Sequence, residues 1–203
     1  MGHVKSQAAS KIRVLKRRRS AGVFKKTKSY LARKPRGWRV FVEDESIFVY
    51  DAKLHAVWVI RGSKPFLLTT GSHRRTVWFG ALAEDGTQLF RQYDNADSDA
   101  FLEFMGHLHR KYPKMILFLD KATYHKKEER VVAYLKKHRK TIRVRWFPTG
   151  FPEANPAEEP WRQGKDFVLG STLPESFAEL KNQTRKFYRT KRFKLNLYEY
   201  LCH

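Results

Sequence analysis

The residues of this sequence best suited to catalysis are three carboxylates, Asp44, Asp120 and Glu158. Hard oxygen ligands bind Mg²⁺ and Mn²⁺, and two such ions about 3.5–4 Å apart can activate an attacking oxygen and stabilise a leaving oxygen at a phosphodiester. Mg²⁺ is commonly held by one or two carboxylates together with substrate phosphate oxygens, so three carboxylates are sufficient. If the fold brings them together, they indicate metal-dependent phosphodiester chemistry.

Asp44 and Asp120 are both expected near strand ends, and each has a structural alternative. Strand alternation places Asp44 on the face opposite Glu43 and Glu45, although an exposed acidic strand end would show the same pattern. Asp120 follows the continuously apolar run 115–119, which is typical of a strand buried on both faces. Open α/β folds place their sites at that carboxyl edge, so Asp120 is predicted to be functional, with a helix N-cap as its alternative.

Glu158 lies at the predicted start of a helix. Asn155 as N-cap, Pro156 as the first helical residue and Glu158 three residues after the cap form a capping box, which is a structural alternative for this carboxylate. Both roles are compatible, because a carboxylate in the first turn of a helix can also face the sheet edge. Pro160 would strain a helix that begins at Pro156, so either Glu158 is displaced or the helix starts later.

Hydrophobic periodicity predicts the elements that must position these carboxylates. Strands are expected at 39–46, 56–60, 76–82, 88–92, 115–119 and 142–146. Helices are expected from 97 to 112, from 127 to 140, from 155 or 157 to 168, and again beyond residue 170. Antiparallel strands followed by alternating helices and strands predict an α/β fold of the RNase H-like kind: a mixed sheet, with an antiparallel meander plus parallel strands, flanked by helices.

The charge balance indicates a polyanionic partner. The 203 residues include 42 Lys+Arg and 20 Asp+Glu, which gives a formal net charge of +22. This excess favours nucleic acid, although a merely basic surface or a structural nucleic-acid binder would show it too. Residues 1–40 contain 14 Lys/Arg and no Asp or Glu. We expect a basic N-terminal arm at 1–38, a catalytic domain at 39–170 and a basic helical C-terminal extension at 171–203.

Two features exclude other classes of protein. Cys202 is the single cysteine, so no disulfide and no cysteine-based zinc site can form within the chain. The N-terminal segment lacks an apolar signal core, and no run approaches the roughly 18 apolar residues that span a membrane. We therefore expect no membrane partner and a cytoplasmic location.

Three segments resemble the catalytic blocks of mariner-like transposases, including their bacterial and archaeal insertion-sequence relatives. They are Glu43-Asp44-Glu45-Ser46, Leu119-Asp120-x-Ala122-x-x-His125 and Pro148-x-x-x-Pro152-x-x-Asn155-Pro156-x-Glu158-x-x-Trp161-x-x-x-Lys165. The third block is the most specific, and the order and spacing of all three fit the family. Lys121 departs from the pattern, because the family usually has Asn at that position.

The resemblance implies an RNase H-like DDE catalytic domain in which Asp44, Asp120 and Glu158 hold two divalent metal ions, Mg²⁺ or Mn²⁺. It implies cleavage of DNA at the ends of an insertion sequence, followed by attack of the freed 3′-hydroxyl on target DNA. A nucleoid-associated homodimer is expected. The alternative is a degenerate or domesticated nucleic-acid-binding protein without transposition activity.

The resemblance also bears on DNA recognition. Full-length relatives carry helix-turn-helix domains that the basic arm is too short to hold. The chain is therefore expected to be the second product of a split transposase gene or a truncated copy, with DNA recognition supplied by a separate or frameshift-joined helix-turn-helix polypeptide from the same element. DNA contacts are expected from Lys16, Arg17, Arg18, Arg19, Lys121, His125 and Lys165. For His125, contact with the shell of the metal site and a role as a buried, hydrogen-bonded histidine are the alternatives. Trp161 is expected to serve in packing.

Overall fold

Five strands within the described residues form one mixed sheet. The computed structural model describes residues 22, 24–51, 69–122, 125, 127–147, 155–170 and 173–202. The strands are β1 (Arg39–Val49), β2 (Arg75–Ala83), β3 (Gln88–Tyr93), β4 (Met115–Leu119) and β5 (Ile142–Trp146). Their order across the sheet is β3-β2-β1-β4-β5.

The pairing of these strands confirms the predicted mixed sheet. β1, β2 and β3 pair antiparallel as a meander, whereas β1, β4 and β5 pair in parallel. Gly86 has a φ of 79° at the turn between β2 and β3, a left-handed conformation that glycine adopts without a steric penalty. The predicted strand at 56–60 lies outside the described residues.

Helices pack against both faces of the sheet. They are α1 (24–31), α2 (Ser98–Lys111), α3 (Glu129–Lys137), α4 (Glu158–Leu169), α5 (Phe177–Thr190) and α6 (Leu197–Leu201). α2 starts where predicted, because the Asp97 side chain accepts a hydrogen bond from Ala100 N at 2.9 Å. α3 starts later than predicted, because Glu128 accepts from Val131 N at 2.9 Å and caps it. None of the helices in the described ranges has both the length and the apolar character needed to cross a membrane.

Alternation along β1 divides its side chains between two hydrophobic clusters. Val40, Val42 and Phe48 belong to a cluster that includes residues of α4, α5 and α6. Phe41 belongs to a second cluster, which includes residues of α2 and α3. All five residues of β4 are buried, as its continuous apolar run predicts for a strand covered on both faces.

Segments on both sides of the predicted catalytic domain contribute to the first cluster. Leu31 and Trp38 are buried in the same cluster as Leu180 and Leu197. Arg143 of β5 lies over the ring of Trp38, with its Cζ 4.2 Å from the ring centroid. α1, α5 and α6 are thus packed on the sheet, whereas the domain boundaries after residues 38 and 170 stay a prediction.

Candidate active site

The pairing of β1 with β4 brings Asp44 and Asp120 to one edge of the sheet. The two strands are parallel, and Val42 pairs with Phe118 as the last residues of the register. The same register continued by two positions sets Asp44 opposite Asp120. Because β4 ends just before Asp120, both carboxylates lie at the carboxyl edge of β4, where open α/β sheets place their sites.

Asp44 is held by a tryptophan from α4. Trp161 Nε1 donates a hydrogen bond to Asp44 Oδ2 at 3.0 Å, and the Trp161 side chain is buried. Gly80 lies opposite Asp44 on β2 and leaves room for this ring, because a Cβ there would lie 2.6 Å from Trp161 Cη2 and 2.6 Å from Phe90 Cε1. The sequence predicts only packing for Trp161, since a bond between residues so far apart leaves no local pattern.

Glu158 is the first residue of α4 and is exposed. The predicted capping box does not form: Ala157 occupies the N-cap position, and Asn155 Oδ1 accepts a hydrogen bond from Ala157 N at 3.1 Å. The helix therefore starts later than Pro156. A later start was one of the two outcomes expected from the presence of Pro160, the other being a displaced Glu158. As the third helical residue, Pro160 removes no intrahelical bond, because the first four N–H groups of a helix have no partner within it.

The negative charges at this edge act on one another. Burial, and then the charge of Glu45, raises the pKa of Asp44 to about 7. The hydrogen bond from Trp161 opposes this rise, whereas the charges of Glu158 and Asp120 add to it. Asp44 is thus within electrostatic reach of both other members of the predicted triad. Carboxylates that disfavour each other's ionisation in this way are suited to binding a cation.

Asp120 uses one carboxylate oxygen for hydrogen bonds within the protein. Its Oδ1 accepts from Ala122 N at 2.8 Å and from His125 Nδ1 at 3.0 Å. The bond from His125 is the main reason that the pKa of Asp120 lies below its usual value. The N-cap of α3 is Glu128 rather than Asp120, so the capping alternative does not apply to that helix.

His125 is buried between two acidic side chains, with only 1% of its surface exposed. Nδ1 contacts Asp120, and Nε2 lies 3.2 Å from Glu45 Oε1. Burial lowers the pKa of His125, but the hydrogen bonds to Asp120 and Glu45 outweigh this effect and raise the pKa to about 9. This burial does not favour direct contact with DNA, which stays a prediction for His125. The geometry instead supports contact with the site carboxylates.

Glu43 faces away from Asp44, as strand alternation predicts. Its side chain is buried, and within the described part of the chain no hydrogen-bond donor reaches either of its carboxylate oxygens. Burial, and then the charges of Glu45, Asp44 and Asp120, raise its pKa well above the usual value. One potential ligand atom from each of Glu43, Glu45 and His125 lies within 4.8 Å of the others. No motif in the sequence indicates this cluster.

The cations predicted to contact DNA are found in different surroundings. Lys121 is exposed directly after Asp120. Lys165 is half-buried, and its Nζ lies 5.7 Å from the ring centroid of Phe48. The structure brings both close to elements of the site, but their contact with DNA stays a prediction. The remaining predicted cations lie outside the described residues; they are Lys16, Arg17, Arg18 and Arg19.

A basic cleft of about 620 Å³ lies beside the ends of β4 and β5. Arg145 lies over the ring of Tyr30, with its Cζ 3.8 Å from the ring centroid. Cations and rings in one cleft suit a nucleic-acid strand, because Lys and Arg neutralise phosphates and aromatic rings stack on bases. The charged and large aromatic residues that line the cleft are Lys25, Lys26, Tyr30, Arg33, Phe118, Arg145 and Trp146.

The donor set at the sheet edge fits divalent ions of the Mg²⁺ or Mn²⁺ type. Asp44, Asp120 and Glu158 offer only carboxylate oxygens, which these ions prefer. Asp44 and Asp120 each have one oxygen fixed by an internal hydrogen bond, and such supporting bonds orient metal ligands in proteins. A bound cation would also offset the repulsion that raises the pKa of Asp44.

The strand order β3-β2-β1-β4-β5 and the mixed pairing are those of an RNase H-like fold. The model of the DDE superfamily endonucleases matches residues 39–181. The chain belongs to this family. The matched range includes Asp44, Asp120 and Glu158. The match confirms the resemblance to the transposase family, from which these three residues were predicted to form a triad.

Known proteins similar to this chain include mobile-element proteins. The insertion element IS630 uncharacterized 39 kDa protein of Shigella sonnei is 27% identical over an alignment of 155 residues, and the match covers 74% of this chain and 45% of that protein. Among solved structures, the Mos1 transposase paired-end complex with left transposon end has a TM-score of 0.61 and 16% identity, over 91% of this chain and 58% of the Mos1 chain. The Mos1 strand transfer complex has a TM-score of 0.64 and 14% identity, over 90% and 55% of the two chains.

These comparisons confirm the predicted fold class. At such low identity, the Mos1 structures show a common fold. The chain spans less than half the length of the IS630 protein and little more than half the length of the Mos1 chain.

Proposed function

We propose that this chain is the catalytic part of an insertion-sequence transposase, which cleaves DNA at the ends of the element and joins the freed 3′-hydroxyl to target DNA. Membership of the DDE superfamily endonucleases supports the cleavage step. The similarity to the IS630 protein and to the Mos1 strand transfer complex supports the joining step. The chemistry is hydrolysis of one phosphodiester bond, followed by transesterification at another.

The main support for this proposal is the arrangement of Asp44, Asp120 and Glu158. Continued two positions beyond Val42 and Phe118, the register of β1 and β4 would set the two aspartates opposite each other, and the charges of Asp120 and Glu158 both act on Asp44. The three residues also match the three blocks of the mariner-like pattern. Their role as metal ligands and catalytic residues is therefore the reading that best accounts for both the sequence and the geometry.

Each side chain has a distinct task in this mechanism. When bound, a pair of divalent ions would activate the attacking water or 3′-hydroxyl and stabilise the leaving oxygen. Asp44 and Asp120 offer the oxygens that Trp161 and His125 do not engage, and these internal bonds keep both carboxylates oriented. Glu158 completes the ligand set from the exposed start of α4.

The DNA strand is proposed to reach the carboxylates along the basic cleft. Arg145 and Trp146 of β5 line the cleft at the same end of the parallel strands as Asp120. Lys121, exposed directly after Asp120, is placed to neutralise a phosphate close to the scissile bond. Because phosphate contacts position DNA without reading its sequence, this path gives no preference for particular ends.

The proposal also covers the assembly of two chains and the recognition of the element's ends. Two copies of the chain act together as a homodimer, and a separate helix-turn-helix polypeptide recognises the element's ends in the nucleoid. The paired-end form of the Mos1 complex supports joint action of two copies. Light scattering of the chain with DNA carrying one element end should show two chains per complex in the presence of the recognition polypeptide. A stable complex of one chain with one end, active in strand transfer, would contradict the dimer.

Nicking of a supercoiled plasmid that carries the element's ends tests the catalytic proposal. The full chain should nick this plasmid with Mn²⁺ or Mg²⁺ and not with EDTA. Glu158→Gln should lower the rate at least about 100-fold, because even the outer partners of metal ligands contribute roughly 10- to 100-fold. Glu159→Gln is the matched control, because it makes the same change at the next residue of α4. The carboxylate of Glu159 is engaged by Arg162, whose Nη2 donates to Glu159 Oε1 at 2.6 Å.

The outcomes of this assay separate the competing functions. Loss of nicking in Glu158→Gln but not in Glu159→Gln would support the triad. Equal nicking by the wild type and Glu158→Gln would refute it. DNA binding without any metal-dependent nicking would favour the alternative of a non-catalytic nucleic-acid-binding protein.

A further inference from the structure

Glu43 is a buried carboxylate that the proposed reaction does not use. Only 1% of its surface is exposed, and among the described residues no donor lies within hydrogen-bonding distance of either oxygen. Removing a carboxylate from water is strongly unfavourable unless a donor or a cation compensates. The position of Glu43 therefore requires an explanation beyond the packing of β1.

Glu45 and His125 face the same point as Glu43. One potential ligand atom from each of the three lies within 4.8 Å of the others, and His125 Nε2 is 3.2 Å from Glu45 Oε1. Around a tetrahedral zinc ion with bonds of about 2.1 Å, ligand atoms are about 3.4 Å apart. Modest side-chain rotations would thus bring the three groups to ligand distance.

His125 has the orientation of a metal-binding histidine. Its Nδ1 lies 3.0 Å from Asp120 Oδ1, which leaves Nε2 on the side of Glu45. Histidine ligands usually donate the other ring N–H to a carboxylate, because this bond fixes the tautomer and makes the ligating nitrogen more basic. The ring also packs against Phe101, with ring centroids 4.5 Å apart, which restricts its rotation.

We propose that Glu43, Glu45 and His125 form a structural site for a divalent transition-metal ion, best matched by zinc, separate from the catalytic carboxylates. Two carboxylates balance the charge of the ion, and a mixed imidazole and carboxylate set suits zinc better than Mg²⁺, which prefers oxygen ligands alone. The site lies across β1 from Asp44. The ion would hold His125 in place and, through it, the orientation of Asp120.

Zinc binding to the full chain tests this site without DNA. The metal-free protein is titrated with Zn²⁺ in excess Mg²⁺, which competes for the carboxylate-only triad. The wild type should bind one tight zinc ion, and Glu43→Gln should lower the affinity at least about 100-fold, since it removes a direct ligand. The matched control is Glu103→Gln, because Glu103 is an exposed glutamate of α2.

Two further measurements locate the ion. The double variant Asp44→Asn with Glu158→Gln should keep the zinc, because it changes only the triad. X-ray absorption of the zinc-loaded wild type should show one imidazole among oxygen ligands, and this result decides the matter even if Glu43→Gln does not fold. An oxygen-only shell, loss of zinc in the double variant, unchanged affinity in Glu43→Gln or no stoichiometric zinc would each overturn the proposal. Metal-dependent nicking by the wild type, with its loss in Glu158→Gln, tests the triad alone, so failure of the zinc site and failure of the proposed function are distinguishable.

Discussion

Replacing Trp161 by Phe removes the hydrogen bond to Asp44 while keeping an aromatic ring in the same cluster. The indole Nε1 donates to Asp44 Oδ2 at 3.0 Å, and this bond opposes the rise in the pKa of Asp44. In Trp161→Phe the pKa should therefore rise further. A larger share of Asp44 would then be protonated at neutral pH, and a metal ion would have to displace that proton to bind.

The size of this effect follows from the charged hydrogen bond. Such a bond contributes about 1.5–3 kcal/mol. At roughly 1.4 kcal/mol for each factor of ten, its loss corresponds to a decrease in Mn²⁺ affinity of about 10- to 150-fold. This agrees with the roughly 10- to 100-fold that outer partners of metal ligands contribute in other proteins.

The chain offers a matched control in Trp78. This residue is buried in the same hydrophobic cluster, and within the described residues its Nε1 has no hydrogen-bond partner. Trp78→Phe removes the same ring atoms without removing a bond to Asp44. Mn²⁺ affinity is measured by electron paramagnetic resonance, and stability by urea unfolding. Both variants should lose stability, but only Trp161→Phe should lose Mn²⁺ affinity. Equal Mn²⁺ affinity in the two variants would show that the hydrogen bond from Trp161 to Asp44 does not support metal binding.

Three further predictions follow from other parts of the structure. Gly80→Ala should lower the free energy of unfolding by about 1–3 kcal/mol in urea titrations, because its Cβ would lie 2.6 Å from the Trp161 ring; unchanged stability would show that the ring has room to move. Burial, and then the charge of His138, lowers the pKa of His109, so the unfolded chain takes up the proton more readily and stability should fall as the pH drops below about 6.5. Thermal melts of His109→Gln should show a smaller fall than the wild type, and identical pH profiles would contradict this. Lys121→Ala should reduce the slope of log affinity for DNA against log salt by about 0.9, whereas an unchanged slope would place Lys121 away from phosphate.

The bounds of two strands, β4 and β5, were predictable to the residue. β4 has the bounds predicted from the run 115–119, because a strand buried on both faces leaves a continuous apolar signal. β5 has the bounds predicted for 142–146, where apolar residues alternate with Arg143 and Arg145, as in a strand with one exposed face. The start of α4 was ambiguous, since Asn155 can cap a helix or close a turn. In the structure it closes a turn, and the helix begins at Glu158.

The elements that carry Asp44, Asp120 and Glu158 were predictable, but the residues that contact these side chains were not. Asp120 follows a strand, as predicted, whereas Asp44 lies within β1, because that strand runs to Val49 instead of ending at residue 46. The pairing of the two strands could be anticipated from the fold class. The bond from Trp161 to Asp44 joins two elements that meet only in the folded chain. The burial of His125 likewise depends on the packing of Phe101 against it, which no spacing in the sequence reveals.

The position of Mn²⁺ in a crystal of the full chain, located by anomalous scattering, tests the central claim most directly. We expect Mn²⁺ at about 2.0–2.6 Å from carboxylate oxygens of Asp44, Asp120 and Glu158 together, at the edge of the sheet beside the basic cleft. Mn²⁺ bound only at other carboxylates, or at the two aspartates with Glu158 turned away, would contradict the assignment of these three residues as the metal-binding triad.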